Sequence, residues 1–397
     1  MKYFEKDAII SGLGISRIGR RMGIPDLELT LEAVRAAIDD AGLTAADIDG
    51  IATFGDTVPS EVVAALGNQA TAIEFGFGTG GVLTPVLSAF LNVSERRARH
   101  VLAYRTVQML GGAMTEQPAS PMLNPLANPP VEPRLPGTRR KLKPFEDIGE
   151  LLAAHAYSAA NWVAMHCQRH MQLYGTTKEQ LGWLAINSRS NAGRNPRAAL
   201  REPMTMDDYL ASRPVSTPFG LFDCDVPIDG SIALVVSHAD YAPHCPNPAV
   251  RVDAVGGAYG SGGWFHRDDF PKMASSEAAA ELWSRTELRP SDVDVAEIYD
   301  GFTFLTFAWL EALGFCADGE AGPFVEGATR IALDGELPLN TYGGQLSAGR
   351  MHGYWLLHEA CLQLRGQAGD RQLERRPEVA VAAAGGGPIA GCMLLTR

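Results

Sequence analysis

None of the six cysteines lies before residue 167, and no two of them form a C-x-x-C pair. That spacing excludes a short disulfide framework and a C-x-x-C zinc or redox site, and it suits a reducing cytoplasm. No run of 18 or more apolar residues occurs, so no membrane-spanning helix is expected. Glu5, Lys6 and Asp7 stand where a signal peptide would need its apolar stretch, so a cytoplasmic protein is expected. Basic excess is missing as well: 34 Lys and Arg stand against 46 Asp and Glu, a formal charge of -12. A nucleic-acid scaffold would present a basic face, so no nucleic-acid partner is expected, although one local patch can still hold a small anion.

What is present fits an ordinary globular chain, with 46% hydrophobic residues, 42 glycines and 25 prolines in 397 residues. The length exceeds one usual core, so at least two compact units are expected. Self-similarity supports a duplication. Residues 26–55 and 275–302 each read as an amphipathic helix followed by a short apolar segment, and Leu43, Asp47 and Asp49 match Leu288, Asp292 and Asp294 at one offset. Each helix follows a strand-like segment, at 8–16 and 249–258. A Gly-Gly pair then precedes a helical stretch and another strand in both halves: Gly80-Gly81 before VLTPVLSAFL, and Gly343-Gly344 before a longer stretch ending in EACLQLRG. Alternation of this kind indicates an α/β fold with mixed sheets and crossover helices. The expected division is an N-terminal half over 1–245, with a loop or cap insertion at about 110–210, and a C-terminal half over 246–397. Seven prolines in 118–136 rule out helix or central strand there, a basic run follows from Arg139 to Lys143, and a helical stretch is expected near 148–173.

GFGTGG at 76–81 matches G-x-G-x-x-G formally. A dinucleotide fingerprint also wants an acidic residue closing the next strand, and RRARHVLAYRT at 96–106 has none, so NAD binding is rejected. The same turn carries a different likeness. Phe77-Gly78-Thr79-Gly80-Gly81 resembles the CATGS-like nucleophile turn of the thiolase superfamily, with Phe77, or Gly78 on a one-residue shift, in place of the cysteine. Tyr299-Asp300-Gly301-Phe302 resembles the HDCF-like motif of the sterol-carrier and lipid-transfer branch, with tyrosine for histidine. Asn340-Thr341-Tyr342-Gly343-Gly344 and Gly349-Arg350-Met351-His352-Gly353 resemble NPxGGxxxxGHPxG, with Arg350 at the histidine. Ala383 to Gly387 resembles the terminal CxGGG, with alanine for the second cysteine, and DCDVPIDG from Asp223 resembles the segment that closes the first half.

The resemblance spans nearly the whole chain, and its closest form is the thiolase-like steroid side-chain aldolases. It implies a thiolase fold, two duplicated βαβαβ-type halves in an α/β/α/β/α stack. It also implies loss of the acyl-cysteine mechanism, which needs a thiolate and a second base. Retro-aldol cleavage of a β-hydroxyacyl-CoA needs only positioned acid and base groups, and yields a ketone and a short acyl-CoA such as propionyl-CoA. On the family's pattern Tyr299 and Tyr342 are the acid–base pair, while Phe77, Gly78, Asp300, Gly344, Arg350, His352 and Gly386 line the substrate. No cofactor is expected beyond the coenzyme A of the substrate. A homodimer and a small DUF35 partner with an OB-like fold are implied. Two alternatives stay open: a non-catalytic binder of acyl-CoA or lipid, and an acyltransferase with an unplaced nucleophile. Tyr354 is read as packing, the basic run as a solvated loop or a phosphate contact, and Gly385 to Gly387 as a tight turn or a source of N–H donors. His166 and His170 have i, i+4 spacing but no evident third ligand, so no metal site is expected.

Overall fold

Strand β1 (Ala8–Ile15) reads AIISGLGI and is buried almost throughout, because it has sheet neighbours on both edges. Its glycines admit a helix: a Cβ on Gly14 would fall 2.0 Å from the Ala33 carbonyl oxygen of α1 (Asp26–Asp40). The computed structural model describes residues 3–54, 57–75, 78–109, 147–259 and 263–397. The proline-rich segment, the basic run and Phe77 lie outside the described residues.

After α1 come β2 (Gly50–Thr53), α2 (Pro59–Leu66), β3 (Thr71–Phe75), α3 (Thr84–Ser94) and β4 (His100–Gln108). The inserted region contributes α4 (Ile148–Ala153), α5 (Ala159–Tyr174), α6 (Lys178–Gly193), α7 (Met206–Leu210) and a hairpin, β5 (Pro214–Ser216) with β6 (Phe219–Gly220). β7 (Asp229–His238) completes the first half. The second half runs β8 (Val250–Tyr259), α8 (Ser275–Ser284), β9 (Val295–Ile298), α9 (Thr303–Ala312), α10 (Ala321–Val325), α11 (Tyr354–Arg365), β10 (Val379–Gly386) and β11 (Ile389–Thr396).

Strand order shows the duplication directly. The sheet runs β3-β2-β4-β7-β1-β8-β11-β10-β9, so β2-β4-β7-β1 reappears as β9-β10-β11-β8. In each of these four-strand sets one parallel pair is followed by two antiparallel pairs, and β3 adds a second parallel pair at the edge of the first half. Their glycines correspond too: a Cβ on Gly256 of β8 would lie 2.0 Å from the Ala278 carbonyl oxygen of α8, as Gly14 does with α1. The halves share one ladder where Ile9 and Ile10 pair with Arg251 and Val250. α3 and α11 lie between the two sets of strands, sharing a core in which Phe90 and Leu357 meet Ile10, Leu234 and Ala382. α1 covers the outer face of the first half through Val34 and Ile38, and α8 that of the second through Ala278 and Leu282. This is the layered α/β/α/β/α order.

Two local expectations change. The stretch after Gly343-Gly344 is not one helix: a single wide turn (Gly344–Ala348) is followed by positive φ at Gly349, His352 and Gly353, and only then by α11. The helix expected near 148–173 breaks into α4 and α5. The insertion also packs across halves, with Trp162, Leu181 and Leu184 in one core with Phe304 and Trp309 of α9.

Candidate active site

β9 ends at Ile298, and Asn340 holds that end. Its Oδ1 accepts the Ile298 N–H at 2.7 Å, and its Nδ2 donates to the Ile298 carbonyl at 2.8 Å. These bonds imitate a strand ladder, so the chain reverses at Asn340 (φ 51°) without orphaning buried backbone groups. α6 supports the same turn from outside: Asn187 and Asn191 donate to the Leu339 carbonyl, and Asn195, just past the helix end, to that of Tyr342. Asparagines are poor helix formers. Their presence along this helix follows from these buried bonds.

Asp300 shapes the next turn. Its Oδ1 accepts the Gln345 N–H at 2.8 Å and its Oδ2 the Leu346 N–H at 3.3 Å. Gly344 is forced by that contact, since a Cβ there would sit 1.9 Å from Asp300 Oδ2, at φ +60°. Burial pushes the Asp300 carboxyl up to about 7, against the pull of the two N–H donors. At 1% exposure Asp300 holds the turn in place, and it does not line the opening as the sequence suggested.

Tyr299 stands one residue before it, joined to β10 by its N–H to the Ala383 carbonyl at 2.9 Å. The residue is partly accessible. The segment Cys224–Val226 threads between the motif turns: Asp225 N–H donates to the Gly301 carbonyl at 3.1 Å, Val226 N–H to Gln345 at 2.9 Å, and Val226 accepts from Arg350 N–H at 2.9 Å. The Asp225 carboxylate lies 3.4 Å from Arg350 Nη1, and both side chains keep partial access. Arg350 also points its Nε and Nη2 at the Met109 sulfur, at 3.2 and 3.0 Å. His352 accepts from Arg105 at Nδ1, 2.8 Å away, and its backbone N–H donates to Gln345 Oε1 at 3.1 Å.

The glycine turns close the ring. A Cβ on Gly353 would lie 2.7 Å from that of Ala384 and 3.2 Å from Leu83, and one on Gly81 would lie 3.1 Å from the Ala390 nitrogen. Gly78 is partly accessible and donates its N–H to Thr84 Oγ1 at 3.0 Å. Gly386 is partly accessible beside Leu305, whereas the Gly387 N–H is turned toward the Met273 sulfur.

Electrostatics separates the groups. Burial, then the neighbouring Asp225, pushes the Tyr299 phenol up, with Arg350 and Arg105 opposing, so it stays protonated at neutral pH. Burial raises Asp225 to about 6, while Arg350 holds it down. Burial, Arg105 and Arg350 depress His352 well below its ordinary 6.5. A guanidinium only donates, so neutral His352 accepts at Nδ1 and carries its proton on Nε2. The arrangement offers a phenol acid, a carboxylate base and a neutral N–H donor. No cysteine occurs at the 78–84 turn to accept an acyl group.

Tyr342, expected as half of the acid–base pair, lies in the core. Its ring is fully buried, stacked on Trp355 with centroids 5.0 Å apart, and its hydroxyl has no hydrogen-bond partner among the described residues. Motif spacing located the turn, but the left-handed Asn340 and Gly343 on either side direct this side chain into the α11 core. Tyr342→Phe is therefore expected to keep turnover within about threefold of wild type. A loss as deep as that of a Tyr299 variant in the same assay would restore Tyr342 to the acid–base pair. Tyr354 is fully buried, as its packing role requires. Asp225, Arg105 and Gln345 were missed. Asp225 lies in DCDVPIDG, which the motif reading took only as the close of a half, and Arg105 is one polar residue in a strand with no local signal.

Both histidines of the i, i+4 pair have other partners. His166 is set between the Pro271 and Trp264 carbonyls at 2.8 and 2.6 Å, and His170 between Thr176 and Glu311 at 2.8 and 3.0 Å.

Known proteins share this frame. Residues 258–395 match the family model described as "Thiolase C-terminal domain-like". A "Steroid side-chain-cleaving aldolase" from Thermomonospora curvata is 33% identical, with 98% of this chain and 97% of that protein covered. A "17-hydroxy-3-oxo-4-pregnene-20-carboxyl-CoA lyase" from Mycobacterium tuberculosis is 31% identical, over 98% of both chains. The solved structure described as "Ltp2-ChsH2(DUF35) aldolase" superposes with a TM-score of 0.86 at 29% identity, covering 100% of this chain and 99% of that one. An acetyl-CoA acetyltransferase from Syntrophomonas wolfei, 14% identical with a TM-score of 0.65 over 98% of each chain, shares the fold alone. The chain belongs to the thiolase superfamily, within the aldolase group of its lipid-transfer branch, and is a carbon–carbon lyase on a thiolase fold.

Proposed function

We propose that the chain catalyses retro-aldol cleavage of a β-hydroxyacyl-CoA carried on a steroid side chain, releasing a ketosteroid and a short acyl-CoA such as propionyl-CoA. One observation carries this reading: Tyr299, a partly exposed residue whose phenol stays protonated, stands where the motif turns converge. Tyr299 protonates the Cα of the thioester enolate, and the His352 Nε2–H stabilises the enolate oxygen. Coenzyme A enters only as part of the substrate. The Cys224 thiol, next to Asp225 in the chain, is pushed up to about 12 by burial and by Asp223, which opposes an acyl-cysteine route through it.

The likeness to a complex with a DUF35 protein supports a small OB-fold partner for this chain, and the fold suits a homodimer. Six free thiols suit a reducing cytoplasm, and among the described residues no helix is long and apolar enough to cross a membrane.

The test is incubation of the full chain, with and without its DUF35-type partner, with 17-hydroxy-3-oxo-4-pregnene-20-carboxyl-CoA. A 17-ketone and propionyl-CoA are expected in equal amounts. Tight binding without products would favour the non-catalytic lipid or acyl-CoA binder, and a covalent mass increase would favour an acyltransferase.

A further inference from the structure

We infer that Asp225 is the general base that takes the proton from the β-hydroxyl of the substrate. This rests on the retro-aldol reading and supplies the group it lacks once Tyr342 is found in the core. Cys224–Val226 is hydrogen-bonded to three elements of the site: the loop after Tyr299 through Gly301, the Gly344–Ala348 turn through Gln345, and the 349–353 turn through Arg350. Cys224 also bridges to Phe302. The Asp225 backbone is thus fixed on three sides, and its carboxylate is 12% exposed beside Arg350. Such fixing is what a base needs to meet a substrate hydroxyl at hydrogen-bond distance.

Among the described residues, Arg350, Tyr299, Asp300 and Cys224 face this carboxylate. Arg350 keeps it ionised near neutrality, which burial alone would oppose, and its value of about 6 suits a base working at pH 7. Tyr299 is kept protonated by the same surroundings, so the two groups take opposite roles.

The step balances. The Asp225 carboxylate takes the hydroxyl proton, the O–H electrons form the ketone C=O, and the Cα–Cβ bond breaks. Its electron pair passes to Cα and the thioester as an enolate. Tyr299 O–H then protonates Cα, and the proton held by Asp225 returns to the tyrosinate before the next turnover. No oxidant or co-reactant is required.

The experiment uses the full chain with its partner and the steroid acyl-CoA named above. Asp225→Asn should lose about 10²–10⁴-fold in kcat with KM little changed. The acid limb near pH 6 in the wild-type profile should vanish from its residual rate. Asp225→Ala should regain activity with added formate, in proportion to formate ionisation, which a purely structural carboxylate would not allow. Thermal unfolding of each variant monitors folding. Wild-type-like turnover in Asp225→Asn, a retained acid limb, or folded Asp225→Ala that formate cannot rescue would overturn the assignment alone. Absence of cleavage by the wild type would overturn the retro-aldol reading and this base with it.

Discussion

Replacing Tyr299 with phenylalanine should reduce carbon–carbon cleavage about 10²–10⁴-fold while leaving the chain folded. The hydroxyl is the only atom removed, and the backbone bond that anchors the residue, its N–H to the Ala383 carbonyl, is unaffected. The ring still fills the space beside Gly301, where a Cβ would come within 2.7 Å of its Cε1. What disappears is the proton donor. A thioester enolate accepts a proton poorly from bulk water inside a closed site, so the loss should fall on kcat more than on KM. The phenol is raised by burial and by Asp225, so wild-type activity should persist until alkaline pH ionises it, and that limb should be missing in the variant. Steady-state rates across pH, together with the thermal midpoint, check all of this. Turnover close to wild type in a folded Tyr299→Phe protein would remove the phenol from the mechanism.

The frame of this site was legible because glycine demands are local. Gly343-Gly344, Gly80-Gly81 and Gly385 to Gly387 each stand where a side chain would strike another segment, and such positions survive as readable spacing. The duplication was legible in the helix-and-strand pattern shared by 26–55 and 275–302, and the fold repeats it in the helix–strand contacts at Gly14 and Gly256. Tyr299 could be found because it directly follows β9, whose register fixes where the chain emerges. Tyr342 could not be placed, because its direction depends on two left-handed residues beside it, and spacing carries no dihedral. Asp225 and Arg105 were hidden for a different cause. Each acquires its role from partners far along the chain, Gly301, Gln345 and Arg350 for one and His352 for the other.

The second large effect concerns stability beneath the Asn340 turn, where two carboxyl groups share one threonine. Glu297 and Glu359 are both fully buried. The Thr341 hydroxyl lies 2.7 Å from Glu297 Oε1 and 3.1 Å from Glu359 Oε1, and it also accepts from Gln363 at 3.0 Å. One hydroxyl proton cannot serve two ionised carboxylates. Arg371 decides between them, with Nε and Nη2 each 2.9 Å from the oxygens of Glu359 alone. Glu359 is thus paired with the cation, and Glu297, which has none against it, is the one that keeps its proton. Burial first, and the charge of Glu359 second, raise Glu297 well above its ordinary 4.5. Removing the cation strands a buried charge, so Arg371→Met should cost about 3–5 kcal/mol in denaturant unfolding at pH 7. Glu297→Gln acts on pH dependence. Above pH 4.5 the unfolded chain releases this proton and the folded chain keeps it. The stability Glu297 gives at low pH is therefore lost as pH rises toward its raised folded value, by up to ~1.4 kcal/mol per pH unit. Glutamine cannot ionise, so Glu297→Gln should lack that decline and gain on wild type as pH rises. Parallel stability curves for the two proteins from pH 5 to 8 would show that Glu297 is ionised in the fold. Thr341 also donates its N–H to Glu297 at 3.1 Å, a bond that by itself favours the ionised form, so burial and the charge of Glu359 are what keep the proton on this acid.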